Sequence, residues 1–330
     1  MNKRNIALIY GGNSDEWDIS VRSGKNVAAA LDHSKYNVYE ILYRNDVWGL
    51  CDASHTADAV VVGPVDTSDF SCVAGGERVR FDLALIMIHG TPGEDGILQE
   101  YFEKLGIPCS TCSSSVLHTI FDKHLCKEAM SGLEGVALAD DVYLTPSDSY
   151  DVSAIVSRLG LPLFVKPCDG GSSYGVTLVK EASQLEAAIR FAFSVGKTVL
   201  VEKAISGREM SEGVFSVGGK VITLPVTEIV PHNEYFDYEA KYLGKSDEIC
   251  PARITEEEAE RISDSTAAIY RHFGCTGLVR FDYILDESGV PYFLEANTVP
   301  GMTDASIVPV QIRTAGLTLG GVMDSILSGI

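Results

Sequence analysis

Short apolar runs in the first third of the chain each end in a polar loop. Residues 5–10 predict a strand that leads into a Gly-Gly-Asn-Ser turn and then into a helix with apolar positions from Val21 to Leu31. Residues 36–42 predict a second strand, and the almost continuously apolar run 81–88 predicts a buried parallel strand that ends at His89. Strand, polar loop and helix in this order indicate an α/β unit with polar loops at the carboxyl edge of its sheet.

The middle of the chain repeats this arrangement around a lysine. A helix over residues 121–130 is expected to open a second domain. Residues 161–167 predict a strand that contains Lys166 and runs into the Gly/Ser-rich loop 169–175. This loop suits the covering of phosphates, but it lacks the GK[ST] ending of a P-loop, and a mobile surface turn is the alternative. The next helix has a predicted capping box from Ser183 to Glu186, and the strand 198–201 follows it.

The last third predicts antiparallel strands over residues 210–226 and a long polar, aromatic loop over residues 232–248. A loop of this length is typical of a functional lid or of disorder, and its tyrosines favour the lid. A helix capped by Thr255 and Glu258 comes next. Residues 279–285 and 290–296 then predict two strands of a hairpin.

Four polar side chains share one face of this predicted hairpin. Side chains alternate along a strand, so Arg280 and Asp282 lie on one face of the first strand, and Glu295 and Asn297 on one face of the second. A turn centred on residues 287 and 288 would put Arg280 opposite Glu295, with Asp282 diagonal to it. This register requires an even number of loop residues, because a slip of one residue exchanges the faces.

The two faces of the hairpin predict different roles. Carboxylate and amide oxygens on the polar face suit Mg²⁺ that also binds phosphates, and Arg280 beside them can stabilise an anion. An Arg–Glu pair on an exposed hairpin is the alternative, but four polar groups on one face favour a site. The opposite face is expected to form an apolar underside of Phe281, Tyr283, Leu285 and Leu294.

Length, composition and charge narrow the class of protein. At 330 residues the chain is too long for one ordinary core, so two or three domains are expected. Hydrophobic residues make up 45% and charged residues 22%, as in soluble globular proteins. No apolar run approaches the roughly 20 residues of a membrane helix, and no signal peptide is recognisable, so a cytoplasmic location is expected. The net charge of −20 argues against nucleic-acid and anionic-membrane partners.

The eight cysteines are scattered, and only Cys109 and Cys112 are closely spaced. A CxxC pair can be redox-active or half of a zinc site, but no second pair follows at ligand spacing. Reduced, structural thiols are therefore expected.

Seven motifs stand out along the chain: GGNSDEWDIS (11–20), HGTPGEDG (89–96), VKPCDGGSSYGV (165–176), EKAISGRE (202–209), DYEAKY (237–242), RFD (280–282) and LEANTVPGMT (294–303). With these motifs in this order, the chain resembles the ATP-grasp superfamily, and closely the D-alanine–D-alanine ligases, over nearly its whole length. The resemblance implies a three-domain α/β ATP-grasp fold with an N-terminal parallel sheet, in which ATP lies between the second and third domains. The expected domains are 1–112 for substrate binding, 113–204 as the central lid domain and 205–330 as the catalytic domain.

The resemblance also implies roles for the residues that match these motifs around the amino-acid substrates. Glu16, helped by His89, would hold the ammonium group of a first D-alanine, and Ser306 the carboxylate of a second. Arg280 and the Gly301 backbone N–H would form an oxyanion hole. Ser172 and Tyr242, hydrogen-bonded through Glu16, would lock the lid and the long loop over the substrates.

The nucleotide and the metal are assigned in the same way. Asp282, Glu295 and Asn297 would bind two Mg²⁺ ions, with Mn²⁺ as a substitute. Lys241 would reach the γ-phosphate of ATP. The other residues expected to hold the nucleotide are Lys123, Lys166, Glu202, Lys203, Ile205 and Glu209.

The activity implied by the resemblance is ATP-dependent joining of two D-alanines through an acyl phosphate, for peptidoglycan precursors, by a homodimer. The alternatives are a D-alanine–D-lactate ligase, another ATP-grasp carboxylate–amine ligase, and a nucleotide-binding regulator without catalysis. Position 242 is tyrosine in dipeptide formers and often histidine in depsipeptide formers, so Tyr242 favours the dipeptide. The hairpin face keeps all four polar residues, Arg280, Asp282, Glu295 and Asn297, and this argues against a regulator without catalysis.

Overall fold

The structure is a computed structural model that describes residues 3–52, 60–171, 174–231 and 246–330. Its first sheet has seven strands: β1 (Arg4–Gly11), β2 (Tyr36–Arg44), β3 (Val47–Cys51), β4 (Val61–Asp66), β5 (Ser71–Ala74), β6 (Glu77–Arg80) and β7 (Leu83–Ile86). The strand order is β6-β5-β4-β3-β2-β1-β7. The predicted parallel arrangement is confirmed at β2, β1 and β7, and β7 is shorter than predicted. Strands β3 to β6 extend the sheet as an antiparallel meander that was not predicted.

Strand β1 is buried on both faces, and its alternate side chains enter two different cores. Ile6, Leu8 and Tyr10 pack toward α1 (Trp17–Ala30), and Ala7 and Ile9 pack toward α2 (Ile97–Leu105). The first of these cores also contains side chains of the last two helices of the chain. The N-terminal sheet and the C-terminal helices therefore share one hydrophobic core.

A pair of short helices and one short strand follow the first sheet: α3 (Ser114–Phe121), α4 (Lys123–Ala129) and β8 (Ala137–Leu138). The single helix predicted over residues 121–130 is wrong at its start. Asp122 ends α3 and caps α4, because its carboxylate accepts the backbone N–H groups of His124 and Leu125 at 2.9 and 3.0 Å.

The second sheet is antiparallel and has the order β11-β10-β12-β9. Its elements are β9 (Asp141–Leu144), α5 (Val152–Leu159), β10 (Leu163–Pro167), β11 (Thr177–Val179), α6 (Ala182–Val195) and β12 (Val199–Lys203). Helices α5 and α6 cover one face with apolar side chains. The predicted capping box is displaced by two residues: Glu181 and Gln184 form it, because the helix already begins at Ala182.

The third sheet is built from β13 (Gly207–Val217), β14 (Lys220–Thr223), β15 (Thr227–Pro231), β16 (Ser246–Ile249), β17 (Val279–Asp286), β18 (Pro291–Asn297) and the earlier strand β8. Its order is β16-β15-β13-β17-β18-β8, with β14 paired to β13. Helix α7 (Glu256–His272) packs on this sheet and has the predicted Thr255–Glu258 capping box. Helices α8 (Ile307–Thr314) and α9 (Leu319–Gly329) end the chain.

Among the described residues, no helix has both the length and the apolar character needed to cross a membrane.

Candidate active site

Two adjoining cavities, of about 690 and about 620 Å³, are lined by residues from all three sheets and their loops. The first cavity reaches Glu16 after β1 and Ser306 before α8. The second extends between the second and third sheets. Lys166, Glu202 and Glu295 line both cavities, so the two form one continuous cleft.

Glu295 of the polar hairpin face lies at the junction of the cavities, Arg280 and Asn297 line the first cavity, and Asp282 is buried and lines neither. The register of the hairpin differs from the prediction. Arg280 lies opposite Asn297, and Asp282 lies opposite Glu295. The loop holds an odd number of residues, since Leu285 pairs with residue 291, and this alone would exchange the faces. A register shift between residues 282 and 283 leaves one further residue of the second strand without a partner across the hairpin. This restores the shared face.

The same irregularity changes the predicted underside of the hairpin. Phe281, Tyr283 and Leu285 are buried in the core as predicted, and Phe293 packs with them. Leu294, which was predicted to join them, instead lines both cavities. It is the extra residue beside the shift, so its side chain turns toward the cleft.

Arg280 and Asp282 form a buried ion pair at the base of this polar face. The guanidinium donates from Nε and Nη2 to the two carboxylate oxygens at 2.9 and 2.8 Å, and the Ser211 hydroxyl donates to Asp282 Oδ1 at 2.6 Å. Burial alone would lower the pKa of Arg280, but Asp282 and then Glu295 outweigh burial and raise it. Arg280 therefore stays cationic and faces the first cavity.

A second charged cluster joins Lys166, Glu202, Asp141 and Lys127. Glu202 lies opposite Phe164 on one side and opposite Asp141 on the other, so Lys166, Glu202 and Asp141 share one face of three strands. Lys166 Nζ lies 2.5 Å from Glu202, and Lys127 Nζ lies 2.6 Å from Glu202 and 2.7 Å from Asp141. Burial opposes ionisation of Glu202, but the two lysines outweigh it and lower the pKa of this carboxyl group.

Lys127 is a site residue that the sequence analysis missed. Its side chain is 9% exposed, lines the first cavity and also donates to the Ala139 carbonyl at 2.7 Å. It comes from α4, one helical turn after Lys123. That spacing was a signal that both lysines face the same way.

The remaining residues predicted to hold a nucleotide lie along the second cavity. Lys123 lines both cavities, and its ammonium donates to the Gly170 carbonyl at 2.5 Å, at the base of the Gly/Ser-rich loop. Lys203, Ile205 and Glu209 line the second cavity. The structure thus brings these residues to one wall with Lys166 and Glu202.

The far end of the first cavity contains Glu16, His89, Gly301 and Ser306. His89 is buried, and its Nδ1 lies 2.6 Å from the Val299 carbonyl. Burial lowers the pKa of His89, so the ring is neutral and Nδ1 carries the proton that this bond needs. His89 is therefore hydrogen-bonded to the segment that carries Gly301.

Ser306 and Gly301 lie close together at the start of α8. Ser306 is the residue that precedes the helix, and its hydroxyl lies 2.7 Å from Thr303 Oγ1. A Cβ at Gly301 would come within 3.0 Å of Ser306 Oγ, so only glycine fits there without displacement. An anion in the cavity would meet the N–H groups of the helix start here.

Glu94 is a second residue that the sequence analysis did not select. It lines the first cavity, and its two carboxylate oxygens accept the backbone N–H groups of Gly90 at 2.8 Å and Val299 at 3.0 Å. Its signal was its place in the motif 89–96, but its partner in a distant motif could not be read from the sequence.

Three predicted site residues, Ser172, Lys241 and Tyr242, lie outside the described residues, as does most of the predicted lid loop 232–248. No group of three histidine, cysteine, aspartate or glutamate side chains forms a metal centre within the described part of the chain. The described cysteines are free thiols, including Cys109 and Cys112, as expected.

Two family models match the chain. The model of the D-Ala–D-Ala ligase N-terminus matches residues 5–112, and that of the D-Ala–D-Ala ligase C-terminus matches residues 134–328. The chain belongs to the D-alanine–D-alanine ligase family. The family resemblance found in the sequence is therefore confirmed.

Curated D-alanine–D-alanine ligases match the chain over almost its full length. That of Parabacteroides distasonis is 44% identical over 327 residues, which cover 98% of this chain and 97% of the relative. That of Porphyromonas gingivalis strain W83 is 43% identical over 328 residues, which cover 99% and 98%.

Solved structures of this ligase family have the same fold. The VanG D-Ala:D-Ser ligase from Enterococcus faecalis superposes with a TM-score of 0.87 at 31% identity, over 99% of each chain. The D-alanine–D-alanine ligase from Bacillus anthracis complexed with ATP superposes with a TM-score of 0.76 at 27% identity, over 98% and 96%. The fold is the expected ATP-grasp fold.

Proposed function

We propose that this protein is an ATP-dependent D-alanine–D-alanine ligase that supplies D-alanyl-D-alanine for peptidoglycan precursors. The observation that carries this function is the continuous cleft. One cavity, lined by Lys203, Ile205 and Glu209, adjoins another that ends at Glu16 and Ser306. Glu295 of the polar hairpin face lies at their junction, where a phosphoryl group would pass from the nucleotide to a carboxylate.

The reaction has two chemical steps. A carboxylate oxygen of the first D-alanine attacks the γ-phosphorus of ATP, and the bond from that phosphorus to the β–γ bridging oxygen breaks, which releases ADP. The neutral amine of the second D-alanine then attacks the acyl carbon, and phosphate leaves from the tetrahedral intermediate. The amine loses one proton in the process. Lys166 and Lys123 are suited to offset charge on the nucleotide in the first step.

The tetrahedral intermediate carries a negative oxygen, for which the cleft offers Arg280 and the Gly301 N–H. Both line the first cavity, and the cationic state of Arg280 is secured by Asp282. Preorganised donors of this kind stabilise charge where it develops. Glu16 is suited to hold the first ammonium group, and the Ser306 helix start is suited to hold the second carboxylate.

Magnesium would be held by Asp282, Glu295 and Asn297. The donor set fits this ion, because Mg²⁺ binds through one or two carboxylates completed by substrate phosphates rather than in an all-protein cage. Asp282 lies directly opposite Glu295, and Glu295 and Asn297 line the cavity. Bound there, the ion would polarise the transferring phosphoryl group.

Three further proposals come from the sequence. Ser172 and Tyr242 close the lid over the substrates, with Lys241 at the γ-phosphate. The chain divides into domains at 1–112, 113–204 and 205–330, and limited proteolysis that cuts within these ranges rather than between them would contradict this. The protein forms a homodimer, and a monomeric mass in sedimentation would contradict that.

The experiment that tests the function is an assay with D-alanine as the sole amino acid. We expect equal amounts of ADP, phosphate and D-alanyl-D-alanine, with the product identified by mass spectrometry. Competition with D-serine and D-lactate then measures the second substrate. D-Serine is included because the chain is similar to a D-Ala:D-Ser ligase. A mixed product in which D-alanyl-D-serine or the depsipeptide dominates would overturn the dipeptide assignment.

A further inference from the structure

The segment 298–303, which we call the oxyanion segment, carries Gly301 and follows β18 of the third sheet. Two of its residues, Val299 and Met302, are hydrogen-bonded to side chains from the N-terminal part of the chain. Val299 is held at both of its backbone polar groups: His89 Nδ1 donates to its carbonyl at 2.6 Å, and Glu94 Oε1 accepts its N–H at 3.0 Å.

Helix α1 holds the other side of Gly301. The Ser23 hydroxyl accepts the N–H of Met302 at 2.9 Å, and Asn26 Nδ2 donates to the Met302 carbonyl at 2.7 Å. Ser23 and Asn26 are three residues apart, so they lie on the same face of the helix. Glu16, at the start of this helix, lies on that face as well, seven residues before Ser23.

Glu94 is the one ionisable oxygen acceptor among these four side chains. Its other oxygen accepts the Gly90 N–H at 2.8 Å, so the carboxylate bridges its own loop to the oxyanion segment. Each N–H needs an acceptor, and an ionised carboxylate supplies one at each oxygen. A protonated or amide side chain has a donor in place of one of these acceptors.

We propose that Glu94 is a positioning residue for ligation, which acts by fixing Val299 so that the Gly301 N–H points at the oxyanion of the tetrahedral intermediate. This proposal rests on the proposed function and deepens it. The reaction then depends on how the N-terminal part of the chain packs against the third sheet, since these contacts alone span more than 200 residues of sequence.

The charges around Glu94 give this role a pH dependence. Burial, and next the nearby Glu16 carboxylate, raise the pKa of Glu94 to about 7, against the lowering effect of its two N–H bonds and of Arg280. His89, the remaining titratable group at the segment, stays neutral because burial lowers its pKa. As the pH falls through about 7, Glu94 gains a proton and one N–H loses its acceptor.

The test is a single-turnover measurement on the unmodified protein and on Glu94→Gln, with ADP and dipeptide followed by rapid quenching. Loss of one oxyanion-hole donor costs about 10²–10³-fold in rate, and misplacement of the donor should cost part of that. We expect Glu94→Gln to form ADP within about threefold of the normal rate and dipeptide at least about tenfold more slowly. Protonation of the amine substrate slows the dipeptide step in both proteins alike, so the ratio of the rate of the unmodified protein to that of the variant is the readout, and it should fall as the pH declines through about 7.

Glu212→Gln is the matched control, because Glu212 is also a buried carboxylate but is bonded to Ser263 under the third sheet. In Glu212→Gln, the rates of ADP formation and of dipeptide formation should both remain within about twofold of those of the unmodified protein. Asn26→Ala, which frees only the Met302 carbonyl, should repeat the selective loss in a milder form and serves if Glu94→Gln does not fold.

Equal slowing of both steps, or no slowing of the dipeptide step, would overturn the positioning role. Absence of both products from the unmodified protein would overturn the proposed function, and this proposal with it.

Discussion

The two ends of the cleft are held together in different ways. At the nucleotide end, around Glu202, the charged groups lie on one face of neighbouring strands, and strand pairing alone brings most of them into contact. At the substrate end, around Gly301, the backbone is fixed by side chains 205 to 279 positions away in the sequence. The arrangement of the nucleotide end is a property of one sheet. The arrangement of the substrate end depends on how two parts of the chain pack against each other.

The two ends also differ in what a single change should damage. Lys166, Glu202 and Lys127 form buried ion pairs, and removal of one partner leaves a buried charge uncompensated, which costs stability. The side chains at the substrate end mainly hold backbone groups in place. A change there should cost rate at one step more than it costs stability.

The largest effect is expected where the two ends meet. Glu295 lines both cavities and lies opposite Asp282. We predict that Glu295→Gln keeps the fold but lowers kcat by more than about 100-fold, because metal-assisted charge stabilisation contributes several kcal/mol. ADP release with D-alanine and Mg²⁺ is the measurement, with circular dichroism as the check on folding.

Glu287→Gln is the control for this variant, since Glu287 is exposed in the turn of the same hairpin. It should leave kcat unchanged. Turnover by Glu295→Gln within a few-fold of normal would remove the hairpin from the proposed metal site, and with it the idea that the ends meet there.

A smaller and one-sided effect is expected from Lys127→Met at the nucleotide end. The change leaves Glu202 with Lys166 alone, so we predict a loss of about 3 kcal/mol in the free energy of unfolding, the lower part of the range for a broken buried pair. The KM for ATP should rise, whereas the KM values for D-alanine should not. Urea unfolding and steady-state kinetics measure the two parts.

Lys104→Met is the matched control. Lys104 pairs with Glu100 at 2.8 Å on an exposed helix face, where such pairs contribute less than about 0.5 kcal/mol. If Lys127→Met raised the KM for D-alanine as much as that for ATP, the two ends would not be separable as described.

The same contrast explains how much the sequence could predict. Strand periodicity predicted the polar face of the hairpin, because alternation is a local property. The pairing was wrong, since an odd loop and a register shift at residue 282 cancel each other, and neither leaves a pattern in the sequence. Lys127 and Glu94 were missed because their roles depend on partners in other motifs, Glu202 and Val299.

The smallest effect on ligation is expected from a buried acid that reaches neither end. Glu212 is fully buried on β13 opposite Phe281, so it faces the apolar underside, and Ser263 donates to it at 2.6 Å. Burial raises the pKa of Glu212 from 4.5 to about 7, with a smaller contribution from Asp264, against the effect of its hydroxyl partners. The native state therefore prefers the protonated form more strongly than the unfolded chain does.

The sign of the pH dependence follows from this difference. Stability from a raised pKa is fully present below the unfolded value and is lost as the pH rises through the folded one. Glutamine mimics the protonated form and does not titrate. We predict that Glu212→Gln gains about 2 kcal/mol in unfolding free energy relative to the unmodified protein between about pH 5.5 and about pH 8.5, with kcat unchanged. Urea unfolding across this range measures it, and Glu94, present in both proteins, cancels in the difference. A constant difference would show that Glu212 does not titrate in this range, and a fall in kcat would show that the underside of the hairpin is coupled to the cleft after all.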